Sequence, residues 1–341
     1  EEADMRKRFA NQINPPVTNN GVFINPNGRD SIINNASTKV VLDGKTKYTD
    51  YKIISLKKDT VYIDTTLTIQ KEYKYNYLRK DNFELLPFHN QGQTFNRLGY
   101  DFSSQSTLPS FGMSAKHFNY LTKDDIHYYE VPTPSTEILY RTGLQQGQVL
   151  DALFTLNFSR RKNFGIAYKG LRSLGNYRNS LASHGNFRTF FSYNTKNDRY
   201  YIKAHITTQD LMNQENGGLT SNSLDAFIND DPNFKDRGRL DVNLENTETL
   251  LEGNRLYFEH DYKLFTNKDS NQNNFTNLKL GHIFTHEIKW YEFTESSLNT
   301  SYFGNAMSSS SFVDRVENKY INNEFFLEFN SKYILGTFKV K

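Results

Sequence analysis

The chain has 341 residues, and 41 Lys and Arg against 38 Asp and Glu give a net charge of +3, so it carries no basic cluster and no footprint for nucleic acid. It contains no Cys, which excludes disulfides, thiolate metal ligands and a lipid-bearing N-terminal Cys. No stretch approaches 18 uninterrupted apolar residues, which excludes a transmembrane helix but leaves a barrel open, because a barrel's apolar band is diluted at every second position.

Residues 1–30 are rich in Asn, Pro and Gly ("NQINPPVTNNGVFINPNGRD"), and 1–37 are expected to be extended or mobile. Short alternating pieces follow: "TKVVL", "DYKIISL" and "DTVYIDTTLTI". Between 81 and 135, Pro87, Pro109, Pro132 and Pro134 interrupt regular elements. Residues 1–135 are therefore read as an N-terminal periplasmic or plug-like segment, and 136–341 as the strands of a barrel.

The alternation is clearest in "LDALFTLNFSRRKNFGIAYKG", residues 150–170. Leu150, Ala152, Phe154, Leu156 and Phe158 form one stripe; Asp151, Leu153, Thr155, Asn157 and Ser159 form the other. Period two means one face in an apolar medium and one in a wet medium. From 136 onward the pattern predicts strands at 136–143, 148–160, 164–176, 180–194, 199–209, 254–265, 275–291, 320–330 and 333–340. Most reach the roughly 9–11 residues that a tilted membrane crossing needs. Breaks at 161–163, 195–198, 266–274 and 331–332 are short and polar, whereas the alternate breaks at 177–179, 210–253 and 292–319 include the two longest. Short turns at one end and long loops at the other are the asymmetry of outer-membrane barrels. Tyr193, Tyr200, Phe265, Phe275, Trp290 and Tyr333 fall near strand ends, where interfacial aromatics belong. The fold expected is all-β, an antiparallel transmembrane β-barrel.

The segment "VYIDTTLTIQKEYKYNYLRKDNFELLPFHNQGQTFNRLGYDF" resembles the putative porin family of Bacteroidetes outer membranes. The likeness continues through "EVPTPSTEILYRTGLQQGQVLDALFTLNFSRRKNFGIAYKGLRSLG" and "LLEGNRLYFEHDYKL". The resemblance implies an outer-membrane barrel preceded by a periplasmic-side segment, with no catalytic or ligand residues to carry over. An odd strand count, and a last strand ending "TFKVK", lead to the expectation that the barrel continues beyond what the sequence holds.

The lumen-lining candidates are Asp151, Lys169, Arg188, Lys203, Arg255, Glu259, Asp261 and Lys263, joined by Lys279, Glu287, Lys289, Glu324 and Glu328. Their mixed sign predicts weak ion selectivity, or a lumen filled by ion pairs and plugs. His282 and His286 lie on the lipid-facing set; four residues apart on a strand they are about 13 Å from each other, too far to share a metal. His184 and His205 face the interior with Asp151, Ser159 and Ser192, a set read as lining rather than as a hydrolytic site. The Asp-rich loop 221–241 lacks a calcium-loop pattern and reads as a solvated surface. "NTETLLEG", 246–253, suggests a short helix ending at Gly253. No enzyme activity, cofactor or metal is expected. The partners expected are the lipid of the outer membrane and other outer-membrane proteins. Two functions follow: passive diffusion of small solutes, or a non-conducting barrel subunit of a secretion or barrel-assembly complex.

Overall fold

A computed structural model of the chain describes residues 46–64, 76–79, 85–99, 111–113, 115, 117–143, 146–268, 274–304, 310–331 and 337–341. The described residues belong to one compact unit, and residues 1–43 lie outside the described residues. The mobile reading of 1–37 and the "TKVVL" piece therefore fall outside the description.

The N-terminal segment builds two small sheets. β1 (Lys52–Ile54) pairs antiparallel with β2 (Thr60–Tyr62); β3 (Leu85–Pro87) pairs with β4 (Phe95–Arg97); β5 (Tyr128–Glu130) joins β1 on its other side. "DYKIISL" and "DTVY" thus supply strands as the alternation suggests. The turn between β1 and β2 closes where Ser55 N donates to Asp59 O at 3.0 Å, with Lys58 in the left-handed region at φ 71°. Pro87 ends β3, and Pro132 and Pro134 separate β5 from the first long strand, as a residue without an N–H dictates.

The long strands are β6 (Ser135–Gly143), β7 (Gly147–Ser159), β8 (Lys162–Ser173), β9 (Ala182–Asn194), β10 (Tyr200–Gln214), β11 (Thr247–Lys268), β12 (Asn274–Glu295), β13 (Phe312–Ser331) and β14 (Thr337–Val340). They make one nine-stranded antiparallel sheet in sequence order, and the sheet is open, with β6 and β14 at its edges. Up-and-down order puts the connections at 160–161 and 195–199 at one end. Those at 144–146, 174–181, 215–246 and 296–311 lie at the other, so the longest connections share an end.

The nine strands match the nine expected in number and order, with boundaries moved: β8 ends at Ser173, β11 runs on to Lys268, β14 starts at Thr337, and four shifts lengthen the sheet toward the long-loop end. β10 runs on to Gln214, β11 starts at Thr247, β12 runs on to Glu295 and β13 starts at Phe312. The "NTETLLEG" helix is corrected: Thr247 to Gly253 open β11, and Thr247, Thr249 and Leu251 point to the buried side. The reason is a change of phase. Below this level apolar side chains take the bare face of the sheet. Above it Leu211, Leu251 and Tyr291 are buried while Asp210 and Glu252 take the bare face. The loop 215–246 carries α1 (Ser221–Ile228), capped by the Thr220 hydroxyl accepting from Ser223 N. Two of its aspartates serve as caps: Asp231 accepts from Asn233 N at 2.9 Å and Asp236 from Gly238 N at 3.0 Å.

One face of the sheet is covered and the other is bare. Three buried apolar clusters pin the N-terminal segment to the covered face: Tyr120 with Leu211, Leu251 and Tyr291; Leu121, Ile126 and Tyr128 with Phe190; and Tyr77 against Val149, Leu171 and Ala182. Close approach is helped by missing side chains. A Cβ at Gly253 would overlap the Tyr120 phenol, and one at Gly165 would overlap the ring of Phe190, its cross-strand partner. On the bare face Leu150, Phe154, Ile166, Phe187, Ile206 and Leu256 are exposed. The contrast is sharp between neighbours: Phe154 is 42% exposed and Thr155 1%.

The bare face is banded. At the short-turn end Tyr200 pairs with Tyr262; at the far end Glu252 pairs with Trp290, whose ring lies 4.0 Å from the Arg315 guanidinium. At about 3.3 Å per residue and a strand tilt near 40°, the stretch of β11 from Tyr262 to Glu252 spans roughly 25 Å, the height of a barrel's apolar band. Among the described residues no helix is long and apolar enough to cross a membrane.

Candidate functional site: the covered polar face

Alternation sends every second side chain of β7–β13 to the covered face, and there the charges meet the N-terminal segment in two groups. In the first, Asp151 is shared between Arg188, at 3.2 Å, and Arg79, at 3.5 Å, while Arg79 also holds Glu137 at 2.6 Å. Lys169 is buried beside them and donates to the Asn119 amide oxygen at 2.6 Å and to Leu78 O at 3.4 Å.

The second group centres on Arg255. Its Nη1 and Nη2 both donate to Leu121 O at 3.0 Å, and Nη1 also reaches Glu287 Oε1 at 3.2 Å. Gln209 completes the grip: its amide accepts from Leu121 N at 2.7 Å and donates to Leu121 O at 2.9 Å. Arg255 Nε donates to His205 Nε2 at 3.3 Å, so the neutral imidazole carries its proton on Nδ1 and donates to the Tyr128 oxygen at 2.9 Å. Lys203, fully buried, donates to Ser55 O at 3.0 Å, with its ammonium 5.1 Å from the Tyr128 ring centroid. Glu259 accepts from Tyr257 at 2.8 Å, Asp261 faces Lys58 at 3.5 Å, and Lys279 holds Glu328 at 2.6 Å.

Seven of the eight lining candidates therefore lie on the covered face within these two groups. Lys263 lies half-buried where the β11–β12 register shifts between Lys263 and Phe265. Among the described residues the ring nitrogens of His184 and His205 are engaged by amide, phenol and guanidinium groups. His184 accepts from the Asn119 amide at 3.0 Å and donates to Asn213 Oδ1 at 3.2 Å, and both nitrogens of His205 are engaged as above. His117, on the N-terminal segment, is held neutral, because burial and the neighbouring Lys289 ammonium lower its pKa to about 4. Among the described residues no group of three or more His, Asp or Glu is placed to hold a metal ion.

Sequence reading missed the partners from the N-terminal segment. Arg79 and Lys58 sit in irregular backbone with no periodicity to mark them. The wall cations close on main-chain oxygens of Leu121, Ser55 and Leu78, and a main-chain acceptor leaves no trace in side-chain identity.

The segment leaves part of the covered face open. A cleft of about 490 Å³ lies between Leu56, Lys57, Lys58, Lys123 and Asp124 on one side and the inner residues of β11–β14 on the other. Its wall alternates in sign: Glu324 meets Lys341 at 3.0 Å, and Lys339 lies 3.9 Å from the Phe326 ring centroid.

A nine-stranded up-and-down sheet with one apolar face and one charged face is the architecture of a porin-like β protein. The family described as "Putative porin" matches residues 47–341, and the chain belongs to that family. No curated protein and no solved structure matches the chain.

Proposed function

We propose that this protein is a plug-restricted diffusion porin, in which small polar solutes pass through the cleft between the N-terminal segment and the wall formed by β11–β14. The observation that carries the reading is the cleft itself, a mixed-sign seam left beside a segment that otherwise fills the polar face. The bare apolar face supports an outer-membrane setting, and the short turns at 160–161 and 195–199 are assigned to the periplasmic end. In a bilayer both sheet edges need pairing, because lipid offers no partner for backbone groups. Paired charges of both signs give a narrow pore with weak selectivity rather than a single-sign filter.

Planar-bilayer recording of the purified full chain tests this. The expected result is small, resolved conductance steps with a reversal potential near zero across a salt gradient. Lys339→Glu combined with Lys341→Glu should then shift the reversal potential toward cation preference. A folded protein giving no steps overturns the porin reading. It would favour a non-conducting subunit of a larger outer-membrane assembly, which the grip of Arg255, Lys203 and Lys169 on the segment also suits.

A further inference from the structure

The bare face is not uniform. On β7–β10, three successive cross-strand rows run through Leu156, Phe154 and Ala152, and their polar side chains are Thr189 and Thr208. Thr189 satisfies itself within the sheet by donating to Gly165 O at 3.1 Å. Continued onto β11–β13, the same three rows carry four polar side chains of nine, Asn254, His286, Lys319 and Asn323, and the next row toward the short turns adds His260 and His282, where β8 carries Lys162. Part of this patch is wired laterally. Tyr200 Oη lies 2.9 Å from His260 Nδ1, His260 Nε2 lies 3.3 Å from His282 Nδ1, and His282 Nε2 lies 3.3 Å from Asn323 Oδ1.

Hydrocarbon is a poor medium for this face. A lysine at mid-bilayer on a barrel's lipid face is destabilising, and polar residues in a membrane turn toward protein or water when they can. The adjoining β7–β10 face shows that the same sheet can present lipid-grade residues at the same level.

We propose that the patch on β11–β13 is a self-association surface that meets the same patch of a second copy across a two-fold axis along the membrane normal. The proposal rests on the reading of the bare face as membrane-facing. A two-fold contact must be self-complementary. His and Asn side chains both donate and accept, so they can pair with their own kind. Lys319 meets Glu317 on the same face at 3.4 Å within the chain, and across a two-fold axis the two copies can exchange these partners, Lys319 of one copy meeting Glu317 of the other. The polar groups fall within the apolar band, where a second barrel, and not water, is the available neighbour.

The test uses the absence of native Cys. Asn323→Cys in outer membranes, treated with a short bismaleimide, should give a band of two chains, and Ile206→Cys on the apolar side should not. Light scattering of the detergent-purified unmodified protein should give the mass of two chains. His282→Leu, His286→Leu and Lys319→Leu combined should reduce it to one, with heat-modifiable migration retained as the sign of a folded barrel. A one-chain mass for the unmodified protein, a cross-link to a different protein, or an unchanged dimer in the triple variant overturns the proposal. Should the triple variant fail to fold, the Asn323→Cys cross-link decides alone. Loss of the unmodified protein from the outer-membrane fraction would instead sink the membrane reading beneath it.

Discussion

Phe154 and Thr155 differ in exposure more than any difference in their size explains, since adjacent residues of a strand look into different media. Phe154→Arg should therefore block assembly, because arginine at that depth on the lipid side costs about 2–4 kcal/mol. Asn322→Arg, on the wall of the cleft, should assemble normally; outer-membrane yield of the two variants is the measurement. Asn157 would be a poor control despite facing the same way as Thr155, because its Oδ1 accepts from Val131 N at 3.2 Å and from Asn163 at 2.6 Å. Which face a residue takes was legible from period two alone, and it holds for Asp151, Lys169, Arg188, Lys203, Arg255, Glu259 and Asp261. What each touches was not, because half of each contact comes from a segment without periodicity. Arg255 looks like any lumen cation in the sequence, yet it closes on a main-chain oxygen of Leu121.

Among the elements, the strands were legible and their upper ends were not. β11 and β12 each run 22 residues, about twice a membrane crossing. In the extension the apolar residues move to the buried face, so "TETLLEG" offers no outward stripe and reads as a capped helix. The register is pinned by paired glycine and aromatic positions, Gly165 with Phe190 and Gly281 with Phe326. Strand parity also fixes which connections share an end. Asn229→Cys, in the 215–246 loop, should react with a bulky membrane-impermeant maleimide in whole cells. Lys196→Cys, in the 195–199 turn, should react only after the outer membrane is broken. The reverse labelling pattern would turn the sheet upside down in the membrane.

At the scale of the molecule, the sheet has its core on one side only, between the wall and the N-terminal segment, and the other side holds exposed apolar residues. An exposed apolar face of this kind marks a protein or membrane contact, and on the proposed reading lipid covers most of it. The protein should fractionate with the outer membrane and migrate differently on a denaturing gel before and after boiling; recovery from the soluble periplasmic fraction would contradict the membrane setting. The anchoring of the segment also divides the labour of selection. Lys169, Lys203 and Arg255 hold it through the carbonyls of Leu78, Ser55 and Leu121, and every amino acid supplies a carbonyl. The anchoring bonds therefore constrain the wall cations more than the segment's side chains, except where those side chains are themselves buried, as Leu78 and Leu121 are. On the porin reading, the exposed side chains that the segment turns to the cleft, such as Lys57 and Lys123, can be exchanged like a cartridge in a fixed housing, changing what passes without touching these bonds.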